Sequence, residues 1–153
     1  MYVGIAVNPL PDGSCEIGLS THDGSYSTDF SVKKLKFKET PEHSIQIENH
    51  IVRTLIDFST EHLFKFVGAG ITEKLVTLAP KLCGRLWKEL DIVPIVVDVR
   101  STQRSLKGDE TDAKLRPADE QADSAVRKAL THFGPSHNPR QDNISFSNNN
   151  ALY

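Results

Sequence analysis

The chain is poor in cysteine: 153 residues contain only Cys15 and Cys83. The two lie far apart and fit no metal-ligand spacing, so free, mostly buried thiols in a reducing compartment are expected. No apolar stretch approaches the roughly 18 residues that a membrane span requires, so no membrane partner is expected. The opening Met1-Tyr2-Val3-Gly4-Ile5 lacks the basic start and long apolar run of a signal peptide. The expected location is cytosolic or nuclear, with an organelle matrix left open. A net charge of −2 gives no global field toward nucleic acid or anionic membrane. Six histidines (His22, His43, His50, His62, His132 and His137) show no zinc-binding helical spacing, which makes structural or solvent-facing roles the expectation. Gly68-Ala69-Gly70 has neither a Walker lysine nor a full dinucleotide fingerprint.

What is present describes one soluble α/β domain, with 38% apolar and 25% charged residues. Tyr2 to Asn8 reads as a strand stopped by Pro9, Pro11, Asp12 and Gly13. Cys15 to Leu19 alternates as a half-buried strand, and His22-Asp23-Gly24 supplies a turn. A third strand is expected within 26–38, completing an antiparallel meander. The period then changes. Thr40-Pro41 is a helix entry, and Ile47, Ile51, Leu55 and Phe58 follow at helical spacing, predicting a helix over about 41–61. Leu63 to Ala69 is a predicted strand. Thr72 would cap a second helix burying Leu75, Leu78, Leu82 and Leu86. Ile92 to Val97 is apolar on both faces, as a buried parallel strand would be, with Pro94 near its start marking an end position rather than a mid-strand one.

A polar stretch of nearly 20 residues after Arg100 has the length of a functional or mobile loop. A last helix is predicted over about 117–133, stopped by Gly134-Pro135. The domain is thus expected over 1–135, followed by a polar, disordered tail over 136–153. Its Ile144, Phe146, Leu152 and Tyr153 are possible partner anchors. The order β-β-β-α-β-α-β-α predicts a mixed sheet with helices on both faces, the ribonuclease H-like succession.

Residue patterns near both ends sharpen this. Gly4-Ile5-Ala6-Val7-Asn8-Pro9, then Gly13 and Ile17-Gly18, resembles the opening of RuvC-type Holliday junction resolvases and their YqgF-type relatives. Val93 to Thr102 is similar to the YqgF stretch that ends in Asp-Glu-Arg-Leu-Thr-Thr, and Ala118 to His132 resembles the resolvases' last helix with its two acids. The resemblance implies a ribonuclease H-like nuclease in which acids hold two Mg2+ or Mn2+ ions around a scissile phosphate.

Asp119 and Asp123 match the last-helix acids, and Asp98 is a carboxylate at a strand's C-terminal end, where ligands collect in open sheets. Capping or a helix-dipole role is the plain alternative for Asp119. The first-strand acid is missing, since Ala6 and Asn8 stand there, and the fourth strand's end, Val67-Gly68-Ala69-Gly70, has none. Lys34, Lys36 and Lys38 share one face of an extended segment, a phosphate-backbone contact or an aggregation-blocking edge. Arg100, Arg104 and Lys107 extend the basic surface.

The leading expectation is a catalytically degenerate ribonuclease H-like domain that binds nucleic acid or a protein through those cations. A metal-dependent nuclease with a displaced carboxylate set, Asp98, Asp119 and Asp123, is the second reading. A protein-interaction module able to dimerise is the third.

Overall fold

β1 (Tyr2–Pro9) is buried on both sides, but its two sides differ in size. Val3, Ile5 and Val7 project into a thick apolar layer, whereas Gly4, Ala6 and Asn8 alternate with them on the other face. This asymmetry sets the architecture. The computed structural model describes residues 1–11, 13–22, 27–31, 35–36, 41–103 and 114–133.

β1 pairs antiparallel with β2 (Ser14–His22), and β2 pairs antiparallel with β3 (Ser27–Ser31) and with the short β4 (Leu35–Lys36). On its other side β1 runs parallel to β5 (Gly68–Thr72), which is parallel to β6 (Val93–Val97). The main path is therefore β3-β2-β1-β5-β6.

The thick layer packs α1 (Pro41–His62), α2 (Glu73–Leu78) and α3 (Leu82–Leu90) against Val3, Ile5, Ile17, Leu19 and Ile71. α4 (Ala118–Phe133) lies on the opposite face, touching β1, β2, β5 and β6. That approach is close enough to require the smallest side chains on both partners. A methyl group placed on Gly4 would overlap the Ala122 carbonyl oxygen, and one on Gly18 would overlap the Ala118 backbone. Ala118, Ala122, Ala125 and Ala129 supply the matching stripe on the helix.

Three local expectations are corrected. The strand expected over 63–69 begins only at Gly68. Leu63 adopts a left-handed conformation (φ 57°), and the Phe64 N–H returns to the Ser59 carbonyl, closing α1 in a Schellman-type turn. Phe64 and Phe66 then pack with Phe58 and leave the ladder to start at Gly68 opposite Tyr2.

The single helix expected after Thr72 is two, α2 and α3, broken at Ala79-Pro80, where proline cannot donate to the ladder. Leu75, Leu78, Leu82 and Leu86 are all buried despite the break. β6, expected to be covered on both faces, ends the sheet path, and its Val93 and Val96 are 41% and 46% exposed. Within the polar stretch after Arg100, β7 (Thr102–Gln103) and β8 (Lys114–Leu115) form a two-residue antiparallel ladder. The tail expected over 136–153 lies outside the described residues.

Candidate functional site

Parallel strands β1, β5 and β6 end on one side of the sheet, beside the start of α4. In open sheets this is where ligands collect. Asn8 holds the centre and is 1% exposed. Its amide nitrogen donates to the Arg116 carbonyl at 2.7 Å and to Glu16 Oε1 at 3.4 Å. Its amide oxygen accepts from Gln121 Nε2 at 2.7 Å. Glu16 Oε1 also accepts the Ala118 N–H at 2.8 Å, which places a carboxylate on the N-terminus of α4, where the helix dipole favours it. Gln121 makes a second bond to the Arg116 carbonyl at 2.9 Å. The Arg116 guanidinium reaches Ser124 Oγ at 2.8 Å and the Arg100 carbonyl at 2.9 Å.

These bonds tie β1, β2, the chain after β6 and the start of α4 into one buried polar lock. Nothing in its residue types alone marks it, except that Gln121 sits in the alanine stripe of α4. A buried amide there requires partners.

The predicted acids are placed differently from the expectation of a shared cation. Asp98 is exposed, and its backbone carbonyl accepts the Lys128 ammonium. Asp119 Oδ1 accepts the N–H of Glu120 at 3.0 Å, a local bond at the helix start. Asp123 accepts the Ser20 hydroxyl at 3.3 Å and pairs with Arg127 Nε at 2.9 Å. Among the described residues no group of three His, Cys, Asp or Glu assembles that could hold a metal ion. The structure therefore does not gather Asp98, Asp119 and Asp123 into a Mg2+ or Mn2+ site. The position where the resemblance wants an acid carries the neutral, fully engaged Asn8. Thr72, buried at the end of β5, keeps a hydroxyl with no hydrogen-bond partner among the described residues.

Of the predicted cations, Lys34, Lys38, Arg104 and Lys107 lie outside the described residues. The Lys36 backbone pairs opposite Ser14, and its side chain is also outside that set. Arg100 is exposed. Away from this side, buried Glu48 of α1 accepts the Lys81 N–H at 3.1 Å, at the start of α3. Partial burial pushes the Cys83 thiol above its ordinary value, and Cys15 is buried outright. Among the described residues no helix is long and apolar enough to cross a membrane.

A family model described as "Trehalose phosphorylase-like, N-terminal domain" matches residues 1–139. Trehalose phosphorylase of Grifola frondosa is 36% identical over 185 residues, covering 92% of this chain and 25% of that protein. The trehalose phosphorylases of Pleurotus pulmonarius and Pleurotus sajor-caju are each 35% identical with the same coverage. The chain thus spans about a quarter of the length of the curated relatives it matches. No solved structure matches it.

These matches overturn the resemblance to RuvC-type and YqgF-type nucleases, and with it the functional expectations built on that resemblance and the nucleic-acid vocabulary that went with them. The relatives are named for a reaction on a sugar, not on a phosphodiester. The chain belongs to the trehalose phosphorylase-like N-terminal domain family.

Proposed function

We propose that this chain serves a trehalose-phosphorylase-type protein as an accessory domain, and that the sugar chemistry takes place in the part of such proteins beyond the matched quarter. A phosphorylase uses phosphate where a hydrolase uses water. With trehalose, a phosphate oxygen bonds to one glucose unit as the other leaves with the bridging oxygen and a proton, giving glucose 1-phosphate and glucose. Such a centre needs cationic donors free to meet the phosphate and hydrogen-bonding groups turned toward sugar hydroxyls.

The observation that carries the reading is how the polar groups at the carboxyl ends of the strands are used. Arg116, Lys128, Asn8, Glu16 and Gln121 bond to backbone groups and to one another. They hold the domain together, which is the work of a scaffold. The strand order also supports a ribonuclease H-like arrangement as a proposal about architecture alone, with no nuclease chemistry attached.

The test is an assay of phosphate-dependent loss of trehalose, run on the protein that carries this domain and on the 153-residue chain alone. Turnover is expected from the first and none from the second. Turnover by the chain alone, or a carrying protein that leaves trehalose intact, would overturn the proposal.

A further inference from the structure

β6 ends the path of the main sheet, and among the described residues no strand pairs with its outer side. From Ile92 to Val97 the chain carries no charge, and every residue except Pro94 is β-branched. Without a proline, such a run at an open edge has the composition of a strand that adds to copies of itself. Both faces of the run reach the surface. Val93 lies on the α4 face with its register partner Gly68, Val96 lies on the opposite face, and both are exposed.

The backbone of this edge is closed residue by residue. The Val93 N–H donates to the Val67 carbonyl, so Val93, Ile95 and Val97 turn their peptide groups inward to β5. Ile92, Pro94, Val96 and Asp98 therefore turn theirs outward. The Ile92 N–H is taken by the Leu86 carbonyl of α3 at 3.0 Å. Pro94 has no N–H, and its ring fills the space that a neighbouring strand's carbonyl would enter. The Asp98 carbonyl accepts the Lys128 ammonium of α4. Within β6 only Val96 keeps an outward donor.

We propose that Pro94 closes the outer edge of β6 against a second copy of this chain, with the Leu86 carbonyl and the Lys128 ammonium sealing its two ends. The edge is self-complementary. Two copies of β6 laid antiparallel about Ile95 bring position 94 of each opposite position 96 of the other. Residues opposed in this way exchange both of their N–H···O bonds. Proline deletes one bond from each such pair and wedges its ring into the gap. The edge is thus apolar enough to attract its own copy and unable to bond it. This closure is independent of the accessory-domain role.

The test compares the 153-residue chain with Pro94→Val by sedimentation velocity at rising concentration. The substitution restores the missing donor and suits an extended backbone. Pro94→Val is expected at least to double the weight-average mass relative to the wild-type chain at equal concentration. Adding Val96→Lys, which sets a charge on the exposed edge, is expected to return the mass to the wild-type value. An unchanged mass in Pro94→Val, or association that Val96→Lys does not reverse, overturns the proposal.

Amide hydrogen exchange on the wild-type chain supplies a readout that needs no variant. The Val96 N–H is expected to exchange at least tenfold faster than those of Val93, Ile95 and Val97, which bond to β5. Equal protection of all four would mean that a strand already covers the edge, and the proposal would fail even if Pro94→Val could not be obtained folded.

Discussion

Asn8 is where residue chemistry and family resemblance part. As an amide it offers both donors and an acceptor, and all are used within the lock. An aspartate would lose both donors and bring a second carboxylate toward Glu16. Asn8→Asp is therefore expected to destabilise the domain by about 3 kcal/mol at neutral pH, the order found for an uncompensated buried charge. The loss should shrink as pH falls and the new carboxyl protonates, which denaturant titrations at several pH values would show.

Leu63→Gly should act in the opposite direction on the isolated domain. Removing the left-handed strain is expected to add about 1 kcal/mol and raise the melting temperature by roughly 2–4 °C, measurable by calorimetry. Cys83, held protonated by burial, and Cys15, enclosed in the core, should both alkylate far more slowly in the native state than in urea. Rapid native labelling of both thiols would contradict the burial described.

Among elements, the contact between α4 and the sheet is the most demanding. Gly18→Ala adds a single methyl group where the Ala118 backbone already sits, so the helix must lift. The expected cost is about 3 kcal/mol, at the upper end of overpacking effects, read from the denaturation midpoint with an unchanged slope.

This contact also explains what the sequence did and did not disclose. Gly4, Gly18 and the acids of the last helix were the residues on which the nuclease resemblance rested. Here the glycines admit a helix laid directly on strands, a steric demand that does not depend on the reaction catalysed. Periodicity placed α1 and α4 to within a residue or two, because their buried faces are wide and regular. It missed the break at Ala79-Pro80 because the leucine stripe continues across it. It also misplaced the start of β5, because the largely apolar Leu63 to Phe66 packs its phenylalanines on α1 before the ladder begins. The buried lock was illegible, since it unites residues 8, 16, 116 and 121 through tertiary proximity alone. The edge position of β6 was equally hidden, because a run apolar on both sides reads the same whether its cover comes from this domain or from another.

At the scale of the molecule, the net charge of −2 gives no global field, and composition said nothing of sugars. The name of the reaction came from relatives that extend well beyond this domain. The architecture nevertheless carries a consequence of its own. The final helix touches strands drawn from the first and last thirds of the described chain, so the sheet acquires its second cover only when residue 133 is available. Truncation at residue 117 should therefore leave no cooperative thermal transition, whereas residues 1–133 should melt in one step. During synthesis the ribosome would hold an uncovered sheet until the last turn of that helix emerges. Nascent chains of this family would thus pass through a vulnerable interval, when chaperone capture competes with the final docking step and the rate of that step determines the yield of native domain.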